Sequence, residues 1–197
     1  LGRHRHEDVR DRTVDSLGER HRLDAAQAAR VHGTALDLFE QVRTEWGLEA
    51  DDGRWLGWAA RLHELGLAVA WTGYHKHGAY ILQNADMPGF SRDDQGLLAD
   101  LVRLHRKKPG GVLRELPVAR ATRVLRLAVL LRLAVVLHRG RSDHPLPTPR
   151  LDARAGGAKL RLAATWWAEH PLTAADLASE ADELREVDFE LKVVQQD

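Results

Sequence analysis

The sequence predicts a mainly α-helical core followed by a small α+β unit, and three observations carry that reading. Apolar residues recur at three- and four-residue steps as far as about residue 139, the spacing of amphipathic helices. A stretch from Ser142 containing Pro145, Pro147 and Pro149 then breaks the pattern as a stiff connector. Beyond it, short alternating segments flank a Gly-Gly pair, as in a hairpin. With 197 residues and 44% hydrophobic content, the chain is long enough to bury a substantial core.

A first helix is expected over about residues 7–20. A second starts at the N-cap residue Asp24 and runs to about Trp46, with Ala28, Val31, Ala35, Leu38, Phe39, Val42 and Trp46 on one stripe. A third follows a break at Asp51-Asp52-Gly53, turning Trp55, Trp58, Ala59, Leu62 and Leu65 inward, with Gly66 close to its end. Residues 71–84 read as mixed structure, Gly73 and Gly78 bracketing a short His-rich piece. Ser91 and Asp94 have capping-box spacing ahead of Leu97, Leu98, Leu101 and Val102, so a helix starts there and ends near Pro109-Gly110-Gly111. The helix over 119–139 is apolar on most sides and therefore central. The chain thus divides into a helical domain over 1–142 and a small domain over 143–197. The latter is read as a short antiparallel sheet plus helix: strands at 150–154 and 159–163 around Gly156-Gly157, a helix over 173–187 and a strand over 189–194.

Composition excludes several functions. Lys plus Arg and Asp plus Glu each number 29, which argues against a histone-like or wholly acidic role. The charge is unevenly spread: residues 1–149 carry 23 basic and 19 acidic side chains, residues 150–197 carry 6 and 10. Without cysteine there is no disulfide framework, thiolate zinc site or cysteine nucleophile, and a cytoplasmic location is expected. The longest apolar run, over 125–137, is interrupted by Arg126 and Arg132 and is too short to span a bilayer. The amino terminus lacks a signal-peptide h-region, so no membrane association is expected. Opening at Leu1, the sequence reads as a piece of a longer chain.

Between Leu101 and Arg141 stand eleven basic residues and one acid, Glu115. Guanidinium and ammonium groups bind phosphate through charge-assisted hydrogen bonds, and a row of them suits a polyanion. The same segment also reads as a solvated basic face balanced by the acidic tail. Nucleic acid is the weaker partner, since no helix-turn-helix signature or exposed stacking pattern stands out. His63, His105 and His138 each follow an apolar residue by four and so face inward; converging histidines could hold a metal. The inward stripes carry almost no carboxylate apart from Glu64, leaving hard cations without anionic ligands. No phosphate loop, dinucleotide fingerprint, nucleophile elbow or complete H-E-x-x-H helix is present. Gly110-Gly111 and Gly156-Gly157 read as turns.

Four blocks carry a resemblance: GRHRHEDVRDRT at 2–13, RWLGWAARLHELGL at 54–67, GYHKHGAYILQNADMPGF at 73–90, and LVRLHRKK at 101–108 with the LAVLLRLA helix at 127–134. In this order they resemble the carboxy-terminal region of the exopolyphosphatase and guanosine pentaphosphate phosphohydrolase (Ppx/GppA) family. The resemblance implies an HD-phosphohydrolase-like helical domain followed by the small α+β domain, which bind polyphosphate and form a homodimer. It places catalysis and a magnesium site in amino-terminal actin-like domains that this sequence does not contain. Expected anion contacts are Arg10 and Arg12 in the first block, His75, Lys76 and His77 in the third, and His105, Arg106, Lys107 and Lys108 in the fourth. For Arg10 and Arg12 an ion pair with the nearby Asp8 and Asp11 is an equal reading.

The resemblance also implies a comparison with the HD superfamily, which holds metal on a His, a His-Asp pair and a late Asp. Here those positions fall near Gln27, on His63-Glu64 and on Val135, with His77 and His105 as relics of accessory positions. Valine cannot ligate and Gln27 is a poor ligand. The expectation is therefore a vestigial site around His63 and Glu64, no cofactor in this piece and no hydrolysis by it alone. Two other readings remain: an active metal-dependent HD-type nucleotide phosphohydrolase, and a purely structural dimerisation module.

Overall fold

The structure, a computed structural model, describes residues 8–196. The amino-terminal part of the first sequence block lies outside the described residues. Helix α1 (Val9–Arg20) is capped by Asp8, whose side chain accepts from the Arg10 amide. Helix α2 (Ala25–Val42) starts at Asp24, which caps the Gln27 amide, and buries Val31, Ala35, Leu38, Phe39 and Val42. It ends short of residue 46 because Gly47 takes a left-handed φ of 63° and the Leu48 amide returns to the Arg43 carbonyl. Trp46 is nevertheless buried.

Asp51-Asp52-Gly53 is the first turn of α3 (Ala50–Leu62), not a break before it. Glu49 and Asp52 form a reciprocal capping box there, so the acids satisfy free amides at the positive end of the helix. Gly53 serves packing: a Cβ there would stand 2.9 Å from Cε1 of Phe39 on α2. After a short 3-10 turn over Leu65–Ala68, the segment read as mixed is also a regular helix, α4 (Tyr74–Asn84). Gly73 precedes it at φ 70°, but Gly78 lies inside it, where a Cβ would meet the Gly66 amide at 3.2 Å. Gly78 therefore serves close approach to the 3-10 turn and does not punctuate the chain.

Helix α5 (Arg92–Leu104) has the expected Ser91–Asp94 capping box. It stops at Leu104, and Lys107 then turns at φ 65°. Pro109-Gly110-Gly111 therefore open a short helix, α6 (Gly110–Arg114), and do not end α5. Helix α7 (Val118–Leu137) is central, buried at every position from Leu127 to Leu137.

The hairpin β1 (Arg150–Arg154) and β2 (Gly157–Ala163) is antiparallel, with Leu151 opposite Leu160. Helices α8 (Ala164–Glu169) and α9 (Pro171–Arg185) follow, then β3 (Glu190–Gln196). The sheet order is β1-β2-β3, and β3 pairs parallel to β2, with Leu160 opposite Val193. The expected antiparallel sheet is thus mixed: the chain leaves β2 through two helices and comes back in the same direction, which only a crossover permits. One continuous hydrophobic cluster links α7 and its neighbours to Leu151, Leu160, Leu177 and Leu191 of the small unit. Among the described residues, no helix is long and apolar enough to cross a membrane.

Candidate functional site at the end of the third helix

A cavity of about 350 Å³ opens where α3 ends. Gln27 of α2, His63 and Glu64 after α3, and Val135 of α7 all line it. Arg106 and Lys107 approach from the end of α5, Arg139 and Arg141 from the chain after α7, and Trp71 and Tyr74 from the start of α4. The remaining wall is α9, which contributes Asp176, Ser179, Glu180 and Glu183.

Three of the four positions matched to metal ligands are already hydrogen-bonded or ion-paired through at least one polar atom, and the fourth is hydrocarbon. The buried His63 donates from Nδ1 to the Ala60 carbonyl at 2.7 Å. Glu64 is engaged by the Arg141 guanidinium, which also reaches Asp24 Oδ2 at 2.9 Å. Gln27 donates to the His138 carbonyl at 2.8 Å and accepts from Arg30 at 3.0 and 3.1 Å. Val135 presents only hydrocarbon. Among the described residues, no three His, Asp or Glu side chains are placed to hold a metal ion. The donor set does not fit a cation, and a guanidinium bridges the carboxylates instead.

Behind His63 stands a row of rings. His105 is 5.3 Å from both His63 and Tyr74, centroid to centroid, and His75 is 6.4 Å from His105. His105 donates from Nδ1 to the Val102 carbonyl and accepts from the Tyr74 hydroxyl at 3.3 Å, so both its nitrogens are taken. His75 is buried, and its Nδ1 has no hydrogen-bond partner. Burial pushes His75 down to about 4, with the charges of Arg106, Lys76, Arg103 and Lys107 acting in the same direction. Burial also lowers His63 and His105. The unfolded chain takes up protons near pH 6.5 that the folded rings refuse, so stability is full above that pH and is lost as pH falls toward 4. A melting series from pH 7.5 to 4.5 is expected to show a steady fall in Tm, less steep in His75→Leu.

Lys76, Arg103, Arg106 and Lys107 gather on this face. Among the described residues none of them forms an ion pair. Arg106 lies over the Tyr74 ring at 4.5 Å. Other expected anion contacts are placed differently. Lys108 pairs with Glu186 at 2.6 Å, and His77 bonds the Thr72 carbonyl at 3.1 Å. Arg10 pairs with Asp8 at 2.9 Å and covers Trp58 at 4.8 Å, the ion-pair reading given for it. Arg12 is exposed in a separate depression with Arg20 and Asp86. The structure thus brings the third and fourth sequence blocks together and leaves α1 apart. Sequence reasoning passed over Trp71 and the α9 acids, although Asp176, Glu180 and Glu183 stand at helical spacing, and saw Arg139 and Arg141 only as two of eleven basic residues.

A family model described as Ppx/GppA phosphatase, domain III, matches residues 9–181. The chain belongs to that family. It is 33% identical over 187 residues to a guanosine-5'-triphosphate,3'-diphosphate pyrophosphatase of Pseudoalteromonas translucida, covering 94% of this chain and 38% of the relative. Similar relatives bear the same name in Aeromonas hydrophila, 34% identical with 99% and 40% covered, and in Vibrio atlanticus, 35% identical with 96% and 38% covered. The chain therefore spans about two fifths of the length of these relatives. All the residues lining the cavity at His63 except Glu183 lie within the part matched to domain III.

Proposed function

We propose that this domain III grips phosphate chains and joins two copies of its parent, while hydrolysis belongs to actin-like domains outside this sequence, served by magnesium bound there. The substrate class is inorganic polyphosphate or guanosine pentaphosphate, the latter in keeping with the relatives' names. One observation carries the reading: Arg106 and Lys107 line the cavity at His63 and, like Lys76 and Arg103 beside His75, form no ion pair among the described residues. Uncompensated cations facing one another are held apart only by solvent, and a polyanion relieves that repulsion. A domain able to cut phosphate with its own metal is disfavoured by Val135 and by the Arg141 hold on Glu64.

Retention of long-chain polyphosphate, measured against salt, tests the proposal. Affinity is expected to fall steeply as salt rises, because each phosphate contact releases a counterion. Arg103→Ala with Lys107→Ala is expected to weaken binding about a hundredfold or more, at roughly 1.5–3 kcal/mol for each of the two charged hydrogen bonds, and to flatten the salt slope. Binding indifferent to salt, or unchanged in the double variant, overturns the reading. Sedimentation is expected to show a homodimer.

A further inference from the structure

The basic segment between Leu101 and Arg141 and the acidic tail meet along α9. Asp176, Glu180, Glu183 and Glu186 follow one another at steps of four, three and three, so their carboxylates form a row down one side of the helix to its carboxy end. Each is held by a cation from the basic segment. Arg139 holds Asp176 at 2.6 Å, Arg132 holds Glu180 and Glu183 at 2.6 and 2.5 Å, and Lys108 holds Glu186 at 2.6 Å. A row of carboxylates against a row of cations is the pairing that a phosphate chain would itself make there.

Burial divides the row in two. Arg132 has no exposed side-chain surface, and breaking its pairs would leave an uncompensated charge in the core. The outer pairs lie in water: the side chains of Arg139 and Asp176 are 52% and 35% exposed, those of Lys108 and Glu186 72% and 45%. Pairs of this kind open readily, because solvent and salt screen them. Glu186 also works against its own helix, since it caps the carboxy end of α9, where the helix dipole favours a cation. Its partner is Lys108, which adjoins Lys107 in the chain, while Arg139 lines the same cavity as Arg106 and Lys107. Both outer pairs thus flank the cations that have no ion pair among the described residues.

We propose that Asp176 and Glu186 are built-in competitors of the anion: they occupy Arg139 and Lys108 until a phosphate chain displaces them, and so set how strongly this face grips its ligand. The proposal rests on the anion-binding reading and adds a brake to it. A chain bound at Arg106 and Lys107 presents its next phosphates to Arg139 and Lys108 at high local concentration, which lets it replace the two outer carboxylates. Arg132 and its two glutamates take no part in the exchange and keep α9 in place.

Titration with long-chain polyphosphate at low salt compares the parent with Asp176→Asn combined with Glu186→Gln. Each exposed pair opposes the ligand by roughly 0.2–1 kcal/mol, so the double variant is expected to bind about 2- to 30-fold tighter, and Glu186→Gln alone should give part of that gain. The gain should shrink as salt rises, because screening opens the outer pairs in the parent as well. A control variant, Asp152→Asn with Asp182→Asn, loses the same two charges where the partners Arg161 and Arg185 stand outside the cavity, and is expected to bind like the parent. Melting temperatures of all the variants should stay close to that of the parent, since only part-exposed side chains are changed. An equal gain in the control variant assigns the effect to net charge and overturns the competition. Unchanged or weaker binding by the double and single variants, with salt-sensitive binding by the parent, overturns it too and leaves the anion reading standing. No binding of polyphosphate by any of these proteins removes both.

Discussion

Arg132→Ala is expected to destabilise the fold by about 3–5 kcal/mol in urea unfolding, the range for breaking a buried ion pair from one side. Arg132 is 1% exposed in the middle of α7. It donates to Glu180 and Glu183 of α9 and to the Leu104 and Lys107 carbonyls at 2.6 and 2.8 Å. One guanidinium therefore joins the central helix, the end of α5 and the small unit. Removing it strands Glu180, whose carboxyl burial already pushes above its usual range, and leaves two carbonyls without donors. Arg132→Met combined with Glu180→Leu should recover part of the loss, since well-packed hydrocarbon often matches a buried pair, but the two carbonyls keep the recovery incomplete. A double variant no better than Arg132→Ala would show that the carbonyl bonds dominate.

Gly66→Ala is expected to cost about 4 kcal/mol or more, an exceptional loss for one methyl group. A Cβ at Gly66 would fall on the Tyr74 carbonyl and stand 2.6 Å from the Gly78 amide, so backbone and not a pliable side chain must yield. The movement would lift the start of α4, which carries Tyr74, His75 and Lys76, so phosphate binding should weaken together with Tm. Gly33→Ala supplies the contrast: it lies on the exposed face of α2 with nothing within 4 Å of the added atom, and is expected to stabilise by about 0.5–1 kcal/mol. A Gly66→Ala protein with parental Tm would contradict the packing described between the 3-10 turn and α4.

The same glycines show what the sequence disclosed and what it hid. Local signals were reliable where the cause is local: Asp24 and Ser91 cap the helices they precede, and the unbroken apolar run of α7 marks the centre of the core. Gly53 and Gly78 misled because their purpose is contact with chain distant in sequence, and a glycine required by a neighbour looks like one required by a turn. The parallel pairing of β3 was hidden for a related reason, since strand direction follows from the route of α8 and α9 and not from alternation. At the cavity, the resemblance supplied Gln27, His63, Glu64 and Val135 as one group, and these four do meet. Arg141 was visible only as one of eleven basic residues. Its partners, Asp24 and Glu64, are 117 and 77 positions away, beyond any local pattern.

Arg141 also changes how this joint responds to its surroundings. A divalent ion spanning Asp24 and Glu64 would exchange with solvent and could be stripped by a chelator, whereas a side chain anchored to the backbone is delivered with folding itself. The clasp between the amino end of α2 and the carboxy end of α3 thus comes with the chain itself, and ionic strength screens its half-exposed Asp24–Arg141 arm more than the nearly buried Glu64.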